Sequence, residues 1–234
     1  TIPPKLFEDC RPFGIRLLSI YGSTESSPHS LVRLNDTREH TEETDGCAVD
    51  GVEIRVVDDA RHEVPHGQEG EEASRGPQVF VGYWGEPEMT ARALDADGWY
   101  YSGDYCRTDS EGRYIRITGR KKDIIVRGGE NISSREVEDI VLEYPGVREA
   151  AVVAMPDERL GERSCACVSM RPGAPALHLT DLVAFFDGRR VAKYKFPEYL
   201  VVLDALPRTS SGKLQKFALA RMVRERVAAG QPSD

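Results

Sequence analysis

The segment Tyr21-Gly22-Ser23-Thr24-Glu25 places an aromatic ring, hydroxyl groups and a carboxylate next to one another. The ring can cover a flat base, the threonine hydroxyl can donate to a phosphate oxygen, and the carboxylate can hold Mg²⁺ beside that phosphate. The glycine lets the backbone turn sharply. Taken alone, the segment is better explained as an ordinary turn from a strand into a loop.

A second carboxylate stands in Tyr101-Ser102-Gly103-Asp104. A carboxylate just after a strand can accept two hydrogen bonds from the hydroxyls of a ribose, as acidic residues do in other nucleotide sites. The competing explanation is a simple Gly-Asp turn, which is the better one for this segment in isolation.

Basic residues follow in the segment from Gly119 to Ile132, where Arg120, Lys121 and Lys122 are consecutive. An arginine here can pair with phosphate or ribose oxygens. The pair Gly128-Gly129 permits close approach of a ligand to the backbone. A solvated basic linker explains the same residues equally well.

A lysine ends the polar, glycine-containing segment Pro207-Arg208-Thr209-Ser210-Ser211-Gly212-Lys213. A long ammonium side chain on such a loop can reach a phosphate on which charge accumulates. The spacing is not that of a P-loop. The alternative is a mobile loop at the entry of a helix.

Together and in this order, the segments resemble the adenylate-forming (ANL) superfamily, which contains acyl-CoA synthetases, luciferases and peptide-synthetase adenylation domains. Residues 21–25 resemble its Y-G-x-T-E motif, and residues 101–104 resemble Y-x-T/S-G-D. The remaining matches are to G-E…G…G-Y-W at residues 70–84, to G-R-x-K-D…G-x-N-I…E-V/I-E at 119–138, and to K-x-P…P-R-T-x-S-G-K at 195–213.

The resemblance implies roles for the residues of the first half of the chain. Tyr21 and Gly22 would lie at the adenine, Thr24 would contact the α-phosphate, and Glu25 would hold Mg²⁺. Asp104, helped by Arg120, would bind the ribose hydroxyls.

For the second half, the resemblance implies that Lys213 reaches the α-phosphate and carboxylate oxygens during adenylation. Lys122 would be the hinge about which a small C-terminal domain rotates between two half-reactions. The loop with Gly128 and Gly129 would then line the channel for the pantetheine of coenzyme A.

The implied function is that of an ATP-dependent acyl-CoA synthetase, with ATP/AMP, Mg²⁺ and CoA as cofactors and substrates. A fatty or alicyclic acid is expected as the acid. The family's phosphate loop and most of its acyl pocket lie upstream of Tyr21, so the N-terminal part of the same enzyme is an expected partner and the chain alone is expected to be inactive. An adenylation domain that loads a carrier protein and a non-catalytic nucleotide-binding module remain alternatives, and a homodimer remains open.

Two features fall outside the expected pattern. The segment Gly70-Glu71-Glu72-Ala73 departs from the family's usual Glu-Leu, which is expected to disturb strand packing locally. His29 borders the expected acyl pocket, and we expect it to be a polar loop residue rather than a catalytic base.

Composition limits the classes of function. Apolar residues make up 40% of the 234 residues, which suits a packed core, and the formal net charge of −8 argues against a nucleic-acid platform. Residues 1–120 carry 13 basic and 23 acidic side chains, whereas residues 121–234 carry 18 and 16, so a domain boundary is expected near residue 120. Five cysteines in no disulfide spacing indicate the reducing cytoplasm, and no stretch resembles a signal peptide or a transmembrane helix.

The expected fold is mixed α+β. Residues 1–120 are read as the strand-rich C-terminal part of a large AMP-binding domain with a β-barrel-like subdomain, and residues 121–234 as a small mobile α+β domain. Helices are expected to start after Ser133, to span 180–188 with Thr180 as cap, and to span 214–229 with Gly230 as stop. Strands are expected at 15–21, 52–58, 77–81, 98–104, 114–117, 150–154 and 165–168, with a hairpin at 109–112 and a polar loop at 33–46.

Overall fold

A computed structural model describes Ile2 and residues 4–228, and the chain divides into two compact units. The first unit is Thr1–Lys121 and the second is Lys122–Asp234. The division therefore falls one residue beyond the point where the charge composition changes. The mixed α+β class expected from the sequence is confirmed.

Short helices and antiparallel strands make up the described part of the first unit. Its sheets run in chain order, as β1-β2-β3 and as β4-β5-β6-β7. The helices are α1 (Pro4–Cys10), α2 (Arg38–Glu43) and α3 (Pro87–Ala93). The strands are β1 (Ile20–Ser23), β2 (Ser27–Leu31), β3 (Cys47–Ala48), β4 (Glu53–Val57), β5 (Gly70–Arg75), β6 (Tyr100–Thr108) and β7 (Ile115–Arg120).

The strand expected at residues 15–21 is shorter than the apolar run that suggested it. The strand β1 begins only at Ile20, and Ile15 and Ile20 are both exposed. An apolar run indicates what the side chains prefer, but a strand also needs a backbone partner. On this side of β2, the paired residues are 20–23.

The polar segment after Gly67 contains the strand β5, which was not predicted from the sequence. The strand β5 pairs with β4 and β6, and its residues Glu72, Ala73 and Ser74 are fully buried. The strand expected at 77–81 is absent, because those residues form turns and irregular backbone. The strand β5 was missed because buried polar side chains cannot be distinguished from those of a surface loop in a hydrophobicity pattern.

The polar loop expected at 33–46 contains the helix α2. The Thr37 side chain caps it by accepting a hydrogen bond from the His40 backbone N–H at 3.2 Å. Only Thr41 of this helix is buried. A helix with no apolar face gives no periodic signal, which explains why it was missed.

The second unit is a mixed sheet with helices on both faces. Its helices are α4 (Ser134–Leu142), α5 (Leu179–Gly188) and α6 (Lys216–Ala228). Its strands are β8 (Ile124–Arg127), β9 (Glu130–Ser133), β10 (Val147–Asp157), β11 (Gly161–Met170) and β12 (Tyr199–Val202). The order is β10-β11-β8-β9, and β12 pairs in parallel with β11.

The strand β10 separates two apolar clusters. Val152 packs with Val137 and Phe186 in the cluster that α4 and α5 cover. Val153 packs with Leu219 in the cluster that α6 covers. Coverage of both faces explains the continuous apolar runs that correctly predicted β10 and β11.

Helix ends in the second unit agree with the sequence in part. Ser133 caps α4 as expected, accepting from the Glu136 N–H at 3.4 Å. The expected Thr180 cap is wrong, because α5 begins at Leu179 and Asp181 accepts from the His178 N–H at 3.1 Å. The helix α6 starts at Lys216 rather than 214, and Ala229 and Gly230 lie outside the described residues.

All five cysteines are free thiols. Cys106 is fully buried in the first unit, and Cys165 and Cys167 are fully buried within β11. The pair in β11 is therefore part of a core strand, as the sequence reading expected, and not a metal motif. Of the helices that the structure describes, none combines the length and apolarity needed to cross a membrane.

Candidate active site

Gly22 lets the strands β1 and β2 approach each other closely. A Cβ atom at this position would lie 2.2 Å from the Ser27 carbonyl oxygen, so no larger residue fits without moving the backbone. The pairing of β1 with β2 is irregular between Tyr21 and Gly22. Thr24 and Glu25 occupy the turn that follows, and Thr24 is exposed.

Glu25 is joined to the segment that follows β5. Its carboxylate Oε1 accepts from the Tyr83 hydroxyl at 3.0 Å, and its backbone carbonyl accepts from the Phe80 N–H at 2.7 Å. Burial, followed by the hydrogen bond to Glu25, raises the pKa of Tyr83 above its ordinary value. Two of the sequence motifs, at 21–25 and 70–84, therefore meet at Glu25.

Asp104 lies on a β-bulge within β6, whereas the sequence predicted that it would stand at the end of a strand. Ser102, Gly103 and Asp104 together lie opposite the single residue Glu72, and β6 then continues to Thr108. Gly103 adopts a φ of +71°, which favours glycine.

Hydrogen bonds hold the bulge in place. The Ser102 hydroxyl donates to the Glu72 carbonyl at 3.0 Å, and the Gly103 N–H donates to Glu71 Oε1 at 3.0 Å. Bulges of this kind re-aim a side chain, and this one re-aims Asp104.

Tyr21, Asp104 and Arg120 meet in space. The Tyr21 hydroxyl donates to Asp104 Oδ2 at 3.0 Å, and Arg120 Nε lies 3.2 Å from Asp104 Oδ1. Asp104 and Arg120 are direct cross-strand partners on β6 and β7, which explains their ion pair. Three segments that are weak signals alone thus share one carboxylate.

Tyr21 remains a protonated donor. Burial raises the pKa of Tyr21 above its ordinary value, and the charges of Glu72 and Asp104 raise it further. Its hydroxyl also lies 3.4 Å from Glu72 Oε2, so the two carboxylates share the hydroxyl.

His29 and Glu72 form a pair that sequence reasoning missed. His29 Nε2 lies 3.1 Å from Glu72 Oε1, and both side chains are 0% exposed. The expectation that His29 is a polar loop residue is wrong, because it lies within β2. The available signal was the departure at Glu72, whose carboxylate is paired with His29 and which lies where the pairing of β5 with β6 is irregular, as the sequence led us to expect.

Lys213 lies at the closing end of a short turn in the second unit. The Thr209 N–H donates to the Lys213 carbonyl at 2.8 Å, and the Lys213 N–H donates back to Thr209 Oγ1 at 3.0 Å. Gly212 supports this turn with a φ of +83°. The Lys213 side chain is exposed.

The glycines at 128 and 129 form the two-residue turn between β8 and β9. Their φ angles are +59° and +92°, and positive φ at both central residues is what a type I′ hairpin turn requires. The Gly128 N–H donates to the Leu160 carbonyl at 2.7 Å. Arg127, just before this turn, is held by both carboxylate oxygens of Glu198, at 2.9 and 3.0 Å.

Lys122 is exposed and lies between two anchored neighbours. Lys121 pairs with Asp59 at 2.8 Å and with Glu71 at 2.9 Å. Burial alone would lower the pKa of Lys121, but its hydrogen bonds to these carboxylates raise it above the ordinary value. Asp123 lies 3.6 Å from the Lys216 ammonium within the second unit.

Two family models match the chain. The model described as AMP-binding enzyme matches residues 1–84, and the model described as AMP-binding enzyme C-terminal domain matches residues 136–213. A medium-chain fatty-acid–CoA ligase from Escherichia coli (strain K12) is 63% identical over 227 residues, which is 97% of this chain and 40% of that protein.

Solved structures of related enzymes agree with the fold. MatB from Rhodopseudomonas palustris, determined with ATP bound, has a TM-score of 0.83 and 34% identity, covering 91% of this chain and 41% of that one. The o-succinylbenzoate CoA synthetase MenE from Bacillus subtilis, in complex with its acyl-adenylate, has a TM-score of 0.83 and 30% identity, covering 93% and 43%. The chain spans about two fifths of the length of these relatives. These matches, over most of the chain and in both units, show that it belongs to the AMP-binding, adenylate-forming family of enzymes.

Proposed function

We propose that this chain is the C-terminal part of an ATP-dependent acyl-CoA synthetase, which activates a carboxylic acid as an acyl-AMP and transfers it to coenzyme A. The observation that supports this most directly is the shared contact of Tyr21 and Arg120 with Asp104, because it joins three separate motifs of the family. Residues 1–120 belong to the large AMP-binding domain in this proposal. Residues 121–234 form the small mobile domain, and the upstream part of the enzyme supplies the phosphate loop.

Asp104 binds the ribose in the proposed site. A carboxylate offers about four lone-pair positions, so it can accept from ribose hydroxyls in addition to Tyr21 and Arg120. Tyr21 covers the adenine, and Gly22 leaves room for the nucleotide beside the backbone. Arg120 is half exposed and adds positive charge next to the ribose.

Thr24 and Glu25 serve the phosphates. Thr24 is exposed and donates to the α-phosphate in the proposed complex. In the described part of the chain, no group of three or more His, Cys, Asp or Glu side chains forms a metal cage. Glu25 nevertheless fits Mg²⁺, because this ion is usually held by one or two carboxylates together with substrate phosphates. When bound, Mg²⁺ supplies positive charge that neutralises the phosphates.

Lys213 acts in the first half-reaction. The acid's carboxylate attacks an α-phosphorus that already carries negative charge, so a nearby ammonium lowers the barrier. The exposed position of Lys213 on a short closed turn suits such a contact.

The second half-reaction uses other parts of the small domain. Rotation about Lys122 removes Lys213, and the turn at Gly128 and Gly129 then lines the channel for CoA. The rigid attachment of Arg127 to Glu198 supports a turn of fixed shape at this position.

The proposed acid is a medium-chain fatty acid, since a ligase named for such acids is 63% identical to this chain. Five free thiols support a reducing, cytoplasmic location.

Full-length protein supplied with ATP, Mg²⁺, CoA and fatty acids of increasing chain length, with an alicyclic acid for comparison, tests the proposal. We expect acyl-CoA and AMP to form, with highest kcat/KM for medium-chain acids. Asp104→Ala is expected to raise the KM for ATP, whereas Asp50→Ala, at a fully exposed carboxylate, is expected to leave it unchanged. Acyl-AMP formation without any acyl-CoA would favour a carrier-loading domain instead, and nucleotide binding without turnover would favour a non-catalytic module.

A further inference from the structure

The pair of His29 and Glu72 joins the two sheets of the first unit. His29 lies on β2 of one sheet and Glu72 on β5 of the other, and neither side chain reaches solvent. His29 Nδ1 lies 3.0 Å from the Ser27 carbonyl oxygen and 3.0 Å from Ser26 Oγ. Every polar atom of the imidazole ring therefore has a partner.

The contacts of His29 determine how many protons the pair holds. The Ser27 carbonyl can only accept, whereas the Ser26 hydroxyl can either donate or accept, so a proton on Nδ1 is the arrangement that suits both contacts. A neutral ring would then direct its Nε2 lone pair at the Glu72 carboxylate, which is repulsive. The pair therefore holds one further proton between Nε2 and Oε1, as an imidazolium beside a carboxylate does.

The electrostatics agree with this proton count. Burial alone would lower the pKa of His29, but the hydrogen bond and charge of Glu72 raise it above the ordinary value. The other titratable groups that interact with Glu72 are Tyr21 on β1 and Tyr100 and Cys106 on β6. Burial raises the pKa of Tyr100 to about 12 and raises that of Cys106 as well, so both groups stay protonated in the range where a histidine titrates.

Tyr21 contacts this pair from two directions. Its ring lies edge-on to the His29 ring, with centroids 5.1 Å apart, and its hydroxyl lies 3.4 Å from Glu72 Oε2. The same hydroxyl donates to Asp104 at 3.0 Å. These contacts orient Tyr21, and its hydroxyl, toward Asp104, whose own position is determined by the bulge in β6.

A buried ion pair contributes little net stability, because desolvation offsets the attraction, and an apolar pair of similar volume is often at least as stable. Fold stability alone thus gives no reason for a histidine and a glutamate here. We propose that Glu72 and His29 are positioning residues of the adenosine site, which hold Tyr21 in the orientation that lets its hydroxyl meet Asp104. This inference rests on the proposed nucleotide function and adds two residues that act through Tyr21.

The pH dependence follows from the sign of the shift. Because the pKa of His29 is raised in the folded chain, the complete pair is present below its ordinary pKa and is lost as the pH rises through the raised value. Adenosine affinity is therefore expected to fall as the pH increases from the ordinary pKa of histidine through the raised pKa of His29. Adenosine is the appropriate probe because it has no phosphate that titrates in this range.

Two substitutions in the full-length protein separate positioning from simple packing. In Glu72→Gln, the amide N–H can donate to neutral His29 and the amide oxygen can still accept from Tyr21, so we expect near wild-type adenosine affinity without the pH dependence. In Glu72→Leu, both contacts are lost, and we expect the Kd for adenosine to rise about tenfold at all pH values. Circular dichroism and thermal unfolding check that each variant folds.

The inference is overturned if folded Glu72→Leu binds adenosine as the wild type does, or if Glu72→Gln keeps the wild-type pH slope. If Glu72→Leu does not fold, the Glu72→Gln profile decides alone. A wild-type protein that binds neither adenosine nor ATP would instead contradict the proposed function, so the two failures are distinguishable.

Discussion

At the scale of a residue, Lys213 shows how a flexible side chain can be attached to a backbone position that hydrogen bonds hold in place. Its backbone N–H and carbonyl are both bonded to Thr209, so the turn is closed directly beneath the lysine. Arg208 closes the turn further by donating to the Gly212 carbonyl at 2.7 Å. The exposed side chain can therefore change rotamer while these hydrogen bonds hold its Cα atom in place.

The substitution Lys213→Ala is expected to slow acyl-AMP formation by about 10²- to 10³-fold, because a cation beside the attacked phosphate is lost. Thioester formation from supplied acyl-AMP should be spared. Pyrophosphate release measures the first step, and acyl-CoA formed from synthetic acyl-AMP measures the second. Lys193→Ala, at another exposed lysine of the same unit, is the control. Equal loss of both steps would contradict the assigned role.

Contacts between residues of known motifs could be predicted from the sequence, whereas a contact outside those motifs could not. Tyr21, Asp104 and Arg120 were grouped because their segments match known motifs, and they do contact one another. The partnership of His29 with Glu72 spans two sheets and 43 positions of sequence, so no local pattern could reveal it. Only the unexpected glutamate at position 72 marked the place.

At the scale of an element, the bulge in β6 determines where Asp104 lies. Gly103→Ala tests this, since an added Cβ meets no atom within 4 Å but the φ of +71° is unfavourable for alanine. We expect a loss of about 1–2 kcal/mol in unfolding free energy and a higher Kd for adenosine, as the bulge rearranges.

Gly51→Ala provides the matched control for the bulge. Gly51 has a φ of +85° and the same open surroundings, but it lies in the turn before β4. A similar loss of stability with unchanged adenosine affinity is expected. If both variants affect affinity equally, the bulge has no special role in placing Asp104.

Elements were predictable where an apolar pattern and a backbone partner coincide. The strands β10 and β11 satisfy both conditions, because each is apolar and they pair along most of their length. The strand β5 satisfies only the second, since Glu72 and Ser74 are buried polar residues. Pairing in a sheet depends on residues distant in sequence, which a reading of local periodicity does not include.

At the scale of the whole molecule, the chain passes from one unit to the next at Lys122. Lys122→Pro is expected to block thioester formation by restricting the φ angle of the proposed hinge, while acyl-AMP formation continues. Lys122→Ala, which keeps normal backbone freedom, should support both steps. Measuring the two half-reactions separately in the full-length enzyme tests this, and normal acyl-CoA output from the proline variant would exclude Lys122 as the pivot.

Each unit contains at least one buried thiol that becomes reactive only when that unit unfolds. Cys106 lies in the first unit and Cys165 and Cys167 in the second, all without solvent exposure. The neighbouring thiol of Cys167, together with burial, raises the pKa of Cys165, so in the folded chain this thiol is both inaccessible to an alkylating reagent and kept in its unreactive protonated form. The rate of labelling at Cys106 therefore measures unfolding of the first unit, and the rate at Cys165 measures unfolding of the second. Neither measurement needs an engineered probe.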